Sequence, residues 1–168
     1  MKVYLATDHT GFELKNKVKQ FLQQEGYEVE DCGAEEYDKN DDYPDFISKA
    51  AEAVSNDPEN SRGVIFGGSG QGEAMLANKY KGIRCALFYT PSLPTEAVNI
   101  EGRKSEDPFE ILKLTREHNR ANMLSIGVRF LKDKDALKAI KLWLETPDPV
   151  DEKHKRRVEK IKKLEQHA

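Results

Sequence analysis

Short apolar runs alternate with segments of helical periodicity along nearly the whole chain, and this alternation restricts the fold more than any other feature. Lys2–Asp8 (KVYLATD), Tyr27–Cys32, Arg62–Phe66, Ile83–Tyr89 and Met123–Phe130 read as strands. Phe12–Glu25 has helical spacing, with Phe12, Leu14, Val18, Phe21 and Leu22 mostly on one side. Tyr43-Pro44-Asp45 opens a second helix through about Val54, with Asp45 as a candidate cap. Glu73–Lys79 begins a third, Phe109–His118 is helical, and Asp133–Leu144 turns Ala136, Ala139, Ile140 and Trp143 inward. Strands separated by helices pair in parallel through right-handed crossovers. The expected architecture is α/β, a helix–sheet–helix sandwich of about five parallel strands.

At 168 residues the chain suits one domain, 1–168, and is short for two. Mean hydropathy is -0.75, and no apolar run approaches the roughly 20 residues that span a bilayer. The opening MKVYLATDHTGFELK reads as a strand and turn rather than a signal peptide. Two cysteines, Cys32 and Cys85, make no disulfide framework and fit a reducing cytoplasm. Net charge is -3, a poor match to a nucleic-acid binder. The charge is uneven, however: residues 151–168 hold seven Lys or Arg against four Asp or Glu, leaving an acidic body and a basic tail. Such a tail is either a solvated helix or a surface that meets an anion or a neighbouring subunit.

The third strand runs into Gly67-Gly68-Ser69-Gly70-Gln71-Gly72. In a strand–turn–helix context the backbone N–H groups of such a turn can converge on an anion. No Lys-Ser/Thr follows, so it is not a Walker loop. Glu73 sits at its mouth, either complementing a helix dipole or held over the loop as a general base. Asp8 and His9 end the first strand, at the edge where open parallel sheets bind ligands, and Arg129 closes the fifth strand at that same edge. His118-Asn119 precedes the fifth strand and could return there too. His154 and His167 lie in the tail with no assigned role, and four histidines without ligand spacing point to no metal site. One segment, Thr90–Pro108, breaks the rhythm with three prolines and a charged stretch, and long connections of this kind are usually functional or mobile.

Taken in order, these blocks resemble the ribose-5-phosphate isomerase type B family, which also includes the galactose-6-phosphate isomerase subunits. The matching stretches are Ala6–Lys15 (ATDHTGFELK), Asp42–Asp45 (DYPD), Gly67–Glu73 (GGSGQGE), Ala77–Lys79 (ANK), Gly82–Arg84 (GIR), Arg116–Asn119 (REHN) and His154–Val158 (HKRRV). Thr90–Pro108 stands apart as an insertion of about eighteen residues relative to the usual pattern. The resemblance implies a Rossmann-like α/β/α subunit with a basic C-terminal helix at about 151–166. It further implies a homodimer, with a tetramer as the alternative, with sites at the interface and no cofactor; no metal, nucleic-acid partner or membrane and a cytoplasmic setting are the expectations of the spacing and composition above.

The implied reaction interconverts an aldose phosphate and a ketose phosphate through an enediolate, most simply ribose 5-phosphate and ribulose 5-phosphate. By similarity His118 opens the sugar ring, while Asn119 and the backbone of Gly68, Ser69, Gly70, Gln71 and Gly72 hold the oxyanion, Ser69 counting with the catalytic group. Asp8 and His9 touch substrate. Arg129, Lys153 and Arg157 form a phosphate clamp that reaches partly across to the neighbouring subunit. Many members carry a cysteine base where this chain has Gly67; here the expected base is Glu73. Lys153 replaces a usual arginine, keeping charge but not the planar fork. The alternatives are a hexose 6-phosphate (galactose or allose 6-phosphate) as substrate, with the insertion as a lid or wall at the catalytic edge, or a non-catalytic phosphosugar-binding protein.

Overall fold

The computed structural model describes residues 1–165; His167 and the expected last helical residue, Gln166, lie outside them. Five strands form one parallel sheet in the order β2-β1-β3-β5-β4: β1 Lys2–Thr7, β2 Glu28–Asp31, β3 Ser61–Gly67, β4 Cys85–Phe88 and β5 Met123–Gly127. The helices are α1 Phe12–Gln24, α2 Pro44–Asn56, α3 Gln71–Ala77, α4 Glu110–Glu117, α5 Asp133–Glu145 and α6 Glu152–Leu164.

Both sheet faces are covered because successive strand residues point to opposite sides. Leu5, Val64, Phe66, Leu124 and Ile126 meet Leu14, Val18 and Leu22 of α1, Leu112 of α4 and Ala136, Ile140 and Trp143 of α5. Their neighbours Ala6, Ile65 and Met123 meet Ile47, Ala50, Ala51 and Val54 of α2 and Ala77 of α3. This assignment follows from a single crossover hand. The steps β1→β2 and β4→β5 run one way along the sheet and place α1 and α4 on one face. The steps β2→β3 and β3→β4 run the other way and place α2 and α3 opposite. The connections leaving β1 and β3 therefore diverge, and a crevice opens at the carboxyl ends of β1, β3 and β5.

The sequence reading errs at several boundaries, each for a local reason. β5 stops at Gly127 because the Arg129 N–H bonds to the Gly68 carbonyl (3.1 Å), and Val128–Phe130 winds into a 3-10 turn. β4 starts at Cys85 because the Asn122 side chain takes the Arg84 N–H (2.8 Å). Asp45 is not the cap of α2: Tyr43 occupies that position, Pro44 begins the helix and Asp45 lies in its first turn. Lys15 is fully buried on α1, its Nζ donating to Asp31 Oδ1 and the Ala34 carbonyl, both at 2.6 Å. Among the described residues no helix is long and apolar enough to cross a membrane.

Candidate active site

The site grows from the β3–α3 turn. Gly70 takes the left-handed conformation (φ 74°), which glycine adopts without steric cost, and Ser125 Oγ donates to its carbonyl at 2.7 Å. The chain is thereby folded back so that α3 starts immediately and Glu73, in its first turn, swings over the end of β3. There the carboxylate fills the space a side chain at 67 would need: a Cβ on Gly67 would collide with both Glu73 oxygens. Glycine at 67 and glutamate at 73 are one structural decision. Glu73 is buried (6% exposed), and burial pushes its carboxyl pKa up, with the neighbouring Asp8 charge adding to the rise. A carboxylate so placed is a stronger base than one in water.

Asp8 and His9 leave β1 beside this turn, since Thr7 pairs with Phe66 in register. Asp8 Oδ1 accepts from the Thr10 N–H at 2.8 Å and caps a short 3-10 turn, His9–Gly11. The His9 Nδ1 lies 2.6 Å from Asp41 Oδ1 and 3.9 Å from Asp8 Oδ2. Those carboxylates, Asp41 first through its hydrogen bond, raise the His9 pKa. The donor atoms of Asp8, His9 and Asp41 lie within 4.8 Å of one another, but the closest approach between them joins an imidazole directly to a carboxylate, which reads as an ion pair. Arg129 leans on the turn, its guanidinium against Gly68. Ser69 Oγ accepts from the Gln71 N–H at 3.3 Å, and the Tyr43 hydroxyl stands over Gly72. Asp8, His9, Gly68, Ser69, Gly70, Gln71, Gly72, Glu73 and Arg129 thus gather at one sheet edge, where β1, β3 and β5 end.

The remaining predicted residues do not join them within the chain. α4 runs antiparallel to the strands, so His118 and Asn119 lie where β4 and β5 begin. The Asn119 and Arg120 carbonyls accept from Arg84 Nε at 3.1 and 3.0 Å there. The five-residue β5 separates the two edges by about 16 Å. The expectation that His118-Asn119 returns to the Glu73 edge is corrected: an αβ connection ends at the opposite side of the sheet. Instead His118, Lys153, His154 and Arg157 line a second cavity of about 260 Å³. His118 and His154 stack face to face (centroids 3.9 Å, planes 6° apart). Burial first, then His154, Lys153 and Arg103, hold the His118 pKa down, so its imidazole is neutral at pH about 7. His154, left without a role in the sequence reading, is 7% exposed and supports this ring.

Thr90–Pro108 corrects a second expectation. It is not a lid at the Glu73 edge. The Ser92 N–H bonds to the Pro108 carbonyl (2.8 Å), closing its neck, and its tip runs down beside α4. Val98, Asn99 and Ile100 form the uncharged wall of the cavity that holds His118, Lys153 and Arg157. Arg103 Nη2 bonds to the buried Glu110 (2.6 Å), and Ser105 Oγ bonds to the other Glu110 oxygen (2.9 Å). Neither cysteine offers a nucleophile: burial pushes Cys32 to about 11 and Cys85 to about 12. Asp41 escaped notice in the sequence, where it was one of several acids in a polar loop.

This sheet edge thus holds one buried base, a turn of backbone N–H groups, an imidazole whose pKa its carboxylate neighbours raise, and a guanidinium. It suits proton abstraction beside a carbonyl on an anionic substrate. The chain matches the family model described as Ribose/Galactose Isomerase over residues 3–101 and 107–161, the break falling inside the Thr90–Pro108 segment. It is 38% identical over 165 residues to ribose-5-phosphate isomerase B of Mycolicibacterium paratuberculosis, covering 98% of this chain and 92% of the relative. It is 39% identical to the Mycobacterium tuberculosis H37Rv enzyme of the same name, over 98% and 90%. Among solved structures, ribose-5-phosphate isomerase B of Mycoplasma genitalium with bound ribulose-5-phosphate superposes with a TM-score of 0.85 at 30% identity, covering 99% and 97% of the two chains. The Clostridium thermocellum enzyme gives 0.82 at 34%, covering 99% of each.

Proposed function

This chain belongs to the ribose/galactose isomerase family, and we propose that it interconverts ribose 5-phosphate and ribulose 5-phosphate with Glu73 as the base. The observation that carries the assignment is the buried Glu73 carboxylate seated over Gly67 at the end of β3. Moving a carbonyl by one carbon needs a single base that takes a proton from one carbon and returns it to the next. The negative charge passes to oxygen in the enediolate, where the N–H groups of Gly68–Gly72, with Ser69, hold it. The conversion is redox-neutral overall, and the enediolate route consumes no external oxidant or reductant. Asp8 orients the sugar hydroxyls, and His9 and Arg129 hold the phosphate, whose fixed position turns remote binding energy into orientation of the reacting carbons.

The second cavity supplies what this crevice lacks. His118, neutral at physiological pH, opens the ring, Asn119 adds an oxyanion donor, and Lys153 and Arg157 complete the phosphate clamp. Because the two groups stand at opposite sheet edges in one chain, a second copy brings them together. The chain works as a homodimer in the cytoplasm, each site sharing residues of both chains. Two features support this reading. β4 is an edge strand, and a groove of about 610 Å³ beside it is lined by Cys85, Ala86, Ile161 and Leu164. Leu164 is 71% exposed in the single chain, an apolar surface suited to burial against a partner.

The test is NMR of ribose 5-phosphate in deuterated water. Wild type incorporates deuterium beside the carbonyl while ribulose 5-phosphate accumulates. Absence of both would refute the isomerase assignment, and exchange of a hexose 6-phosphate alone would reassign the substrate.

A further inference from the structure

Asp41 lies on the loop after β2 beside His9 and has no part in the reaction described above. We infer that Asp41 is a positioning residue that holds His9 as an imidazolium with its Nε2 presented to the substrate phosphate. The inference rests on the isomerase reading, in which His9 touches that phosphate.

The geometry is specific. One oxygen, Asp41 Oδ1, accepts from the His9 backbone N–H at 2.9 Å and faces His9 Nδ1 at 2.6 Å. The pair fixes both the backbone at the start of the 3-10 turn and the rotation of the ring, leaving Nε2 as the uncommitted nitrogen. The Asp41 side chain is only 10% exposed, and its Oδ2 is buried without a hydrogen-bond partner. Among the described residues the cation within ion-pair distance of Asp41 is His9. A carboxylate in that position is stabilised by a charged imidazole and penalised by a neutral one.

The titratable groups facing the ring are Asp8 at the end of β1 and, from the loop after β2, Asp41 and Tyr37, whose ring edge meets the imidazole at 6.3 Å between centroids. Both carboxylates favour the protonated ring. The consequence for binding is a matter of overlapping windows. A phosphate monoester gains its second charge near pH ~6, and an unassisted histidine loses its charge near ~6.5. Asp41 lets the imidazolium and the phosphate dianion coexist at neutral pH.

The variant Asp41→Asn keeps an oxygen to accept both N–H groups and removes only the charge. The His9 titration, followed by NMR of the imidazole C–H groups, should move to lower pH. The alkaline limb of kcat/KM for ribose 5-phosphate should move with it. At pH about 8 the KM should rise about tenfold, with kcat changing less, as expected for loss of one charge-assisted contact. A His9 titration that stays in place, or one that moves while KM at pH about 8 stays constant, would overturn the inference. Should Asp41→Asn not fold, wild type decides: His9 titrating above His118 supports the ion pair, and the reverse order refutes it. A wild type that isomerises no sugar phosphate refutes the isomerase reading and the phosphate role together, while the NMR titration still decides the ion pair.

Discussion

Glu73 and Gly67 occupy one volume between them, so each sets the other's chemistry. Gly67→Ala should push the carboxylate off the end of β3, leaving the fold intact at a cost of about 1–3 kcal/mol of overpacking and lowering kcat as far as Glu73→Gln does. Glu73→Gln itself should lower kcat by about 10²–10⁴-fold with an unchanged circular dichroism spectrum. It should also stabilise the protein. The Glu73 pKa is raised in the folded state, so ionisation of the carboxyl removes stability as pH rises through that value. Glu73→Gln should therefore melt above wild type at pH about 8, and the gap should close near pH ~4, where both states of the wild-type carboxyl are largely protonated. The glycine turn, Glu73, Asp8-His9 and Arg129 were legible in the sequence because a parallel sheet gathers strand ends at one edge. Asp41 and His154 were not. Their partners are 32 and 36 residues away, and no local spacing marks a pair that only the fold brings together.

The element that departs most from an ordinary α/β rhythm is the Thr90–Pro108 segment. Its anchor is Glu110, 2% exposed and held by Arg103 and Ser105. Arg103→Ala should cost about 1–3 kcal/mol by leaving that carboxylate underpaired, read as a fall in Tm of about 2–4 °C per kcal/mol. The tip is a different matter. Because the Val98 N–H bonds to the Arg103 carbonyl (2.8 Å), Asn99–Gly102 can be shortened to two residues without opening the loop. That trimming should leave Tm unchanged and alter the ratio of kcat/KM between pentose and hexose phosphates, because the tip walls the cavity of His118 and Arg157. An unchanged ratio would make the tip a peripheral elaboration. That this connection is long and irregular was plain from its prolines and charge. Its path was not, because a segment leaving a strand end can stay at that edge or follow the next helix to the other, and tertiary anchors such as Glu110 decide which.

For the whole molecule, the acidic body and basic tail are two ends of one arrangement. α6 carries Lys153 and Arg157 to the edge opposite Glu73, where in a single chain they face no base. The sheet topology explains why the sequence could name all these residues yet not show that they sit apart: an α/β chain deposits βα turns at one edge and αβ turns at the other. The composite site is the central claim, and subunit mixing tests it most directly. Glu73→Gln and Arg157→Ala homodimers, each assayed with ribose 5-phosphate well below KM, should be nearly inactive. Unfolded, mixed in equal amounts and refolded, half of the dimers pair one chain of each kind, and each such dimer holds one intact site. The mixture should recover about a quarter of wild-type activity under two-fold symmetric assembly. A mixture no more active than its parents would place Glu73 and Arg157 in the same chain's site and contradict the account.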